Sequence, residues 1–326
     1  MNTNSATHST PPISIAICTY ARGAVLLETL HSILPHAIAL HAEILVVDQR
    51  HQHPADIATS LSRLTEQGVI RWIVVDTDSL TGKRNIALAQ ARAGIVLFLD
   101  DDVIIPRGFL EAHINAYADP VMDGMTGQVF HAINASNPPM LDHPEINSRH
   151  HFSDPTPGPT RSFIGCNHSV RRSCALSMGG YDERFIASSQ CEDFDFADRL
   201  ADAGHSLWYD PKAWLIHLRA TTGGTRGLSR TTWPEWTRSA NIFLYAFRHG
   251  KKRGNLLALI NRALRTGPLR REIITKPWRW PTAWLGCVRG AWYGWHHRRF
   301  QPTEAMRSYA KAFAIKIENT EKAKHC

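Results

Sequence analysis

Four apolar runs, each ending on a polar residue and each followed by helical spacing, limit the fold more than any other feature of this chain. They are ISIAIC (Ile13 to Cys18), EILVVD (Glu43 to Asp48), VIRWIVVD (Val69 to Asp76) and IVLFLD (Ile95 to Asp100). A strand wet on one face alternates apolar and polar residues. These runs are almost solidly apolar, which predicts strands covered on both faces, as in a parallel sheet layered by helices. The stretches between them supply the helices. Leu26, Leu27, Leu30, Ile33 and Leu34 recur at helical spacing up to Pro35, then Ile57, Leu61 and Leu64, then Ile86 to Ala93. Strand–helix alternation of this kind builds βαβ units, so the fold class is α/β with a Rossmann-like, mostly parallel central sheet. Ligands of such sheets sit outside the carboxyl ends of the strands, which here carry Thr19, Asp48, Asp76 and Asp100.

Downstream, Asn137 to Pro159 holds six prolines and predicts a long surface loop. A second block contains FIGCNHSVRR, a helical pattern over Ser173 to Met178, and a helix that opens near Glu192 and closes at Gly204. Two short strands (Ser206 to Tyr209 and Ala213 to His217) then lead into a glycine-rich loop, Thr221 to Gly227. Residues 1–11 are expected to be a disordered leader, 12–245 the α/β domain, and 246–326 a helical basic extension.

Charge separates that extension from the rest. The 326 residues carry 37 Lys+Arg against 29 Asp+Glu, a net +8, yet Arg248 to Phe300 alone has 13 bases and one acid, Glu272, so the remainder is net negative. Five tryptophans (Trp278, Trp280, Trp284, Trp292, Trp295) lie among those bases. Bases interleaved with tryptophan fit an anionic lipid surface or nucleic acid, and the same rings could pack the extension onto the domain. Six scattered cysteines with no C-x-x-C pair exclude a zinc ribbon or disulfide scaffold and point to a reducing, cytoplasmic setting. The opening MNTNSATHSTPP lacks the pattern of a signal peptide, and no apolar run is long enough to span a bilayer.

Asp100-Asp101-Asp102 directly follows the fourth apolar run. Adjacent carboxylates repel, and a hard divalent cation (Mn²⁺ or Mg²⁺) shared with substrate phosphates would relieve them. On an extended segment Asp100 and Asp102 share a face while Asp101 points elsewhere. The plainer alternative is that the acids cap the next helix. Glu192-Asp193 opens a helix, where acids either complement the dipole or serve as a general base. His217 ends a short strand before the glycine loop and is a candidate metal ligand or a structural histidine. The segment around Gly82-Lys83 is a poor P-loop, and no dinucleotide fingerprint, G-x-S-x-G or H-E-x-x-H is present.

ISIAICTYAR, EILVVDQ, GKRNIAL, IVLFLDDDV, GCNHSVRR, GGYDERF and CEDFDFADRL, in that order and spacing from about Ile13 to Gly227, resemble a family 2 glycosyltransferase of the GT-A fold. The resemblance implies inverting transfer from a nucleotide-diphospho-sugar with a divalent metal at the diphosphate. It implies that Thr19 and Asp48 meet the base and that Arg84 reaches the base or diphosphate. Asp100 is expected by the ribose and Asp102 on the metal, with His217 beside it. Tyr20, Arg22, Lys83 and Asp101 complete the expected donor site. Asp193 is the expected base, with Glu192 and then Asp195 as alternates. A uracil nucleotide is favoured as donor, a glycan or lipid-linked acceptor is expected, and the segment 248–300 then suits an anionic membrane surface at the cytoplasmic face better than nucleic acid. The sequence departs from the family at Arg50, where small polar residues are usual, and beyond Arg226, where no family motif continues. A sugar nucleotidyltransferase, or a non-catalytic protein binding membrane or nucleic acid through its basic tail, are the alternatives.

Overall fold

The computed structural model describes residues 10–49, 53–131, 154–187, 189–224 and 236–324. Arg50, Arg226, most of the proline-rich loop and most of the expected leader lie outside the described residues. The four apolar runs form β1 (Ser14–Thr19), β2 (Glu43–Gln49), β3 (Arg71–Val75) and β4 (Ile95–Leu99), joined by α1 (Ala24–Ala39), α2 (Ala55–Glu66) and α3 (Leu80–Gln90). They pair in parallel in the order β3-β2-β1-β4. Both faces are covered, as the apolar runs require. Ile15, Ile17, Val46, Leu97 and Leu99 pack under α1, whereas Ala16, Leu45, Val47, Val96 and Phe98 pack on the α3 side. Successive strand residues point to opposite faces, so each run must be apolar throughout.

Pairing is parallel throughout this half and mixed in the other. After β5 (Val103–Ile104) and α4 (Phe109–Ala116), the sheet continues through β6 (Met122–His131), β7 (Gly158–Pro159), β8 (Asn167–Arg171) and β9 (Ser206–His217). β8 runs antiparallel to both β4 and β6, β6 runs parallel to β9, and β5 and β7 pair antiparallel with β9. β6 has no counterpart in the sequence reading because MDGMTGQVFH lacks a strand's apolar pattern. Its glycines are what permit the pairing: a Cβ at Gly127 would stand 1.8 Å from the Ala213 carbonyl oxygen, and one at Gly124 would stand 2.6 Å from the Phe163 ring. The two expected strands before the glycine loop are one strand, β9, with a register shift between the Gly127–Asp210 and Val129–Leu215 pairs that absorbs Pro211 to Trp214. Likewise α1 does not stop at Pro35. That proline and His31, whose carbonyl it leaves without a helical donor, are exposed, so water can serve the carbonyl while Ile33 and Ala37 stay buried.

α5 (Arg172–Ser177) and α6 (Glu192–Asp202) complete the helical cover, with Leu176, Phe196 and Leu200 in the α3-side core. Residues after 235 form α7 (Trp236–Tyr245), a π-helical turn (Ala246–Gly250), α8 (Leu256–Thr266), α9 (Arg271–Ile274), α10 (Trp280–His296) and α11 (Glu304–Lys324). They are docked rather than trailing. Asn241 exchanges two hydrogen bonds with the Ile186 backbone (3.0 and 2.8 Å), Tyr245 Oη donates to Asp198 (2.8 Å), and Tyr293 Oη donates to the Arg184 carbonyl (2.7 Å). The five tryptophans are not what packs this region onto the sheet domain: they remain 45 to 72% exposed. All cysteines among the described residues are free thiols.

Candidate active site

β1 is flanked by β2 and β4, and the chain leaves the sheet in opposite directions on either side of it, which opens a crevice at the carboxyl ends of β1 and β4. A cleft of about 400 Å³ occupies that place. Thr19, Tyr20, Arg22, Lys83, Arg84, Asp100 and Asp101 line one side of it. Glu192, Asp193 and His217 line the other, brought there by the start of α6 and the end of β9.

Asp100 and Asp102 both face His217, whose Nε2 stands 3.3 Å from Asp100 Oδ2 and 3.4 Å from Asp102 Oδ1. Asp101 turns instead to Arg22, which donates from Nε at 2.7 Å. Arg22 also reaches Asp102 Oδ2 from Nη2 (3.2 Å) and the carbonyls of Ala220 and Thr222 from Nη1 (3.1 and 2.7 Å). The acids are therefore tied to the segment after β9. Gly223 and Gly224 hold that segment down, at φ of 68° and 66°; a Cβ on Gly223 would stand 2.1 Å from the Ala21 carbonyl oxygen. Burial pushes the Asp101 carboxyl up to about 6 against the pull of Arg22.

Asp102 is fully buried and does not line the cleft. Its Oδ1 accepts no hydrogen bond, which is costly for a buried carboxylate and is what a bound cation would satisfy. Asp100, Cys166 and His217 offer three further donor atoms within 4.8 Å of one another. The carboxylates fit a hard divalent ion, whereas the Cys166 thiol is a soft donor that such an ion does not favour. His217 fits it only after a change. The Arg219 amide donates to Nδ1 at 3.1 Å, so the neutral ring carries its proton on Nε2, the atom that faces the acids. Ligation through Nε2 requires that amide contact to be given up.

Arg84 is the central cation, 2% exposed, donating from Nη1 to Glu192 Oε1 (2.6 Å) and from Nη2 to the Gly165 carbonyl (3.0 Å), with Asp100 Oδ1 at 4.0 Å. Its guanidinium lies 5.3 Å from the Tyr181 ring centroid. Lys83 is buried, with Nζ on the Thr19 carbonyl at 3.2 Å, and burial lowers its pKa. Asp193 is half-buried and accepts from the Gly165 amide (2.8 Å) and the Phe194 amide (2.9 Å). Burial raises the pKa of both Glu192 and Asp193; Asp193 adds to the rise at Glu192, and Arg84 opposes it at both. Asp195 belongs to a different environment. Burial would raise it, but Arg248 (2.6 Å), Arg199 (2.9 Å) and His249 (2.9 Å) hold it well below the usual carboxylate range.

Asp48 is buried beside Thr19 at the β1–β2 edge and does not line the cleft; its Oδ2 accepts from His53 Nε2 (2.6 Å) and Trp72 Nε1 (2.9 Å). Neither partner stood out in the sequence, where Trp72 reads as one more apolar residue of β3. Cys166, Gln190 and Arg238 also line the cleft unannounced. The cysteine of GCN carries no metal-ligand spacing to another cysteine, and Arg238 lies beyond the last family motif.

The sequence profile of glycosyl transferase family 2 matches residues 14–176. This chain belongs to that family. Among curated relatives, the pre-mycofactocin glycosyltransferase of Mycobacterium tuberculosis is 30% identical over 142 residues, 42% of this chain and 30% of that protein. The succinoglycan biosynthesis protein ExoM of Rhizobium meliloti is 23% identical over 205 residues, 62% of this chain and 65% of ExoM. The match thus spans less than a third of the first relative's length. Two solved structures share the fold. One is a mannosyltransferase from Pyrobaculum calidifontis in complex with GDP-Man and Mn²⁺ (TM-score 0.50, 16% identity, 95% of this chain and 87% of that one). The other is GalNAc-T7 with UDP, GalNAc and Mn²⁺ (TM-score 0.51, 14% identity, 74% and 51%). Both are GT-A neighbours, and the α/β architecture described above is of that type.

Proposed function

We propose that the chain transfers a sugar from a nucleotide-diphospho-sugar, UDP-linked by preference, to an acceptor hydroxyl with inversion and with a divalent metal. The observation that carries this reading is one cleft lined both by Asp100 and Asp101, just after β4, and by Glu192 and Asp193 in the first turn of α6, which lie far apart in sequence. Family membership and fold neighbours solved with nucleotides and Mn²⁺ support it. Bound at Asp102 and Asp100, with Cys166 and His217 adjacent, Mn²⁺ or Mg²⁺ would supply charge neutralisation to a diphosphate leaving group. Arg84 adds a fixed positive charge at the same place, and Arg22 keeps Asp101 and Asp102 in position.

Asp193 takes the acceptor proton. Each of its oxygens accepts one backbone amide, which fixes the carboxylate plane and leaves lone pairs directed into the cleft. Its raised pKa makes it a stronger base than a solvated aspartate. Glu192 is held by Arg84 at 2.6 Å and instead orients that guanidinium. The acceptor is a glycan or a lipid-linked sugar of cell-surface synthesis, with the protein peripheral at the cytoplasmic face of a membrane. No helix among the described residues is long and apolar enough to cross one.

Thermal stability against a panel of nucleoside diphosphates, with and without Mn²⁺, tests the donor site. A ligand at about 100 times its dissociation constant adds about 2.7 kcal/mol. A metal-dependent shift with one nucleotide, lost in Asp102→Ala, is the expected result; a shift with nucleoside triphosphates alone would favour nucleotidyl transfer instead.

A further inference from the structure

α10 has two unlike faces. Gly290 and Gly294 lie against α7, where a Cβ would stand 2.8 Å from Ser239 Oγ and 2.6 Å from the Leu244 nitrogen, so the two backbones touch. Ala283, Gly286 and Cys287 are buried on that same side. At about 100° per residue, Trp280, Trp284, Leu285, Val288, Trp292 and Trp295 fall within an arc of about 140° on the other side. Their exposures run from 45 to 68%. Trp278, 72% exposed, and Ile274, 50% exposed, extend the patch just before the helix. So contiguous an apolar face is expected to have an occupant.

Charge decides which one. Of the 13 bases in 248–300, Arg248, Lys252 and Arg253 are ion-paired to Asp182, Asp195, Asp198 and Asp202. Even so, the segment holds a single acid, Glu272, among its 13 bases. Arg271, Lys276, Arg279, Arg289 and Arg299 are exposed beside or just beyond the apolar face, and Arg298 stacks on Trp295 at 3.9 Å. A second copy of this chain would bring the same excess of bases against itself. Lipid phosphates would neutralise it while the indoles settle at headgroup depth.

We propose that the exposed face of α10 docks the protein on an anionic bilayer, with the helix lying in the membrane plane. This specifies the membrane partner named above without depending on the transfer reaction. Seventeen residues give a helix of about 26 Å, with one face committed to α7, so α10 rests on the surface rather than crossing it. Docking would also bring the cleft close to the lipid. Arg238, which lines the cleft, adjoins Ser239 and Ala240, the α7 residues that touch Gly290. The axis of α10 thus stands about one helix spacing, ~8–10 Å, from a helix that walls the active site, with the tryptophans on its far side.

The test is co-sedimentation of the full chain, without donor or acceptor, with phosphatidylcholine vesicles and with vesicles containing about 30% phosphatidylglycerol. Binding to the anionic vesicles only is expected, weakened as salt rises from about 0.1 to 1 M. The pair Trp284→Ser and Trp292→Ser should lower the partition coefficient about tenfold or more without moving the melting temperature, since both rings are already exposed. The set Arg271→Gln, Lys276→Gln and Arg279→Gln should lower it about a hundredfold. Equal binding by the tryptophan pair and the parent chain overturns the proposal. So does a dimer that dissociates in the tryptophan pair while vesicles are ignored, or nucleic-acid binding lost in that pair with no vesicle binding. None of these results bears on glycosyl transfer, which is assayed separately with soluble substrates.

Discussion

Asp195→Asn separates two roles that the CEDFDF motif leaves open. Asp195 lies one helical turn from Glu192, yet its carboxylate is fully buried and holds three cationic partners: Arg248 Nη1 at 2.6 Å, His249 Nε2 at 2.9 Å and Arg199 Nε at 2.9 Å. Removing one partner of a buried ion pair costs about 3–5 kcal/mol. The low end applies, because both arginines keep other acceptors. Arg199 still donates to the carbonyls of Met178 (3.1 Å) and Gly180 (2.6 Å), and Arg248 to Asp182 (2.7 Å) and the Arg298 carbonyl (2.9 Å). About 3 kcal/mol corresponds to a melting-temperature drop of about 6–12 °C.

The pH dependence has a definite sign. Asp195 is held below its ordinary value, so its contribution is complete above about pH 4 and is lost as pH falls further. The gap between parent and variant should therefore be constant near neutrality and close on acidification. Calorimetry across pH, with turnover measured well below the melt, is the assay. Substantial turnover in the cold with a large loss of melting temperature is expected. An unshifted melt with turnover abolished would refute the structural assignment and make Asp195 a participant in the chemistry.

Asp193→Asn should reduce kcat by about 10²–10⁴; its single remaining oxygen can accept only one of the two backbone amides, so the melt should also fall, by the ~1–3 kcal/mol of one unpaired N–H, and single-turnover kinetics and calorimetry check both. Arg84→Met removes the 2.6 Å contact to Glu192, whose pKa burial and Asp193 already raise, so the folded variant binds protons still more tightly than the unfolded chain. Its stability should fall as pH rises above the ordinary glutamate value, by up to about 1.4 kcal/mol per pH unit as the parent's does, and should go on falling above about pH 8, where the parent's loss levels off. Gly223→Ala imposes a left-handed conformation costing about 1–2 kcal/mol and a clash with the Ala21 carbonyl; nucleotide-induced stabilisation should shrink as Arg22 loses its carbonyl anchors on that segment.

How far the site could be read from sequence follows from what each residue's neighbours are. β1 to β4 were legible because burial on both faces demands an unbroken apolar run. The acid triplet stood out because three adjacent carboxylates after such a run need a counter-charge. β6 was not legible: its glycines, needed for close approach to Ala213 and Phe163, erase the pattern by which a strand is recognised. The partners of Asp48 escaped notice because Trp72 reads as part of the core and His53 as a loop residue; only the register that sets Asp48 beside Val74 shows how near the tryptophan lies. The basic segment divides in a way that composition does not show. Arg248, Lys252 and Arg253 hold it to α6 and its approach, while the tryptophans face away.

The most direct measurement is the identity of the nucleotide product when the protein is incubated with Mn²⁺ and a panel of nucleotide-diphospho-sugars. The account predicts release of the nucleoside diphosphate from one of them, dependent on metal and cut at least about a hundredfold in Asp193→Asn. Production of pyrophosphate from a nucleoside triphosphate and a sugar phosphate, with no diphosphate released from any sugar nucleotide, would contradict it.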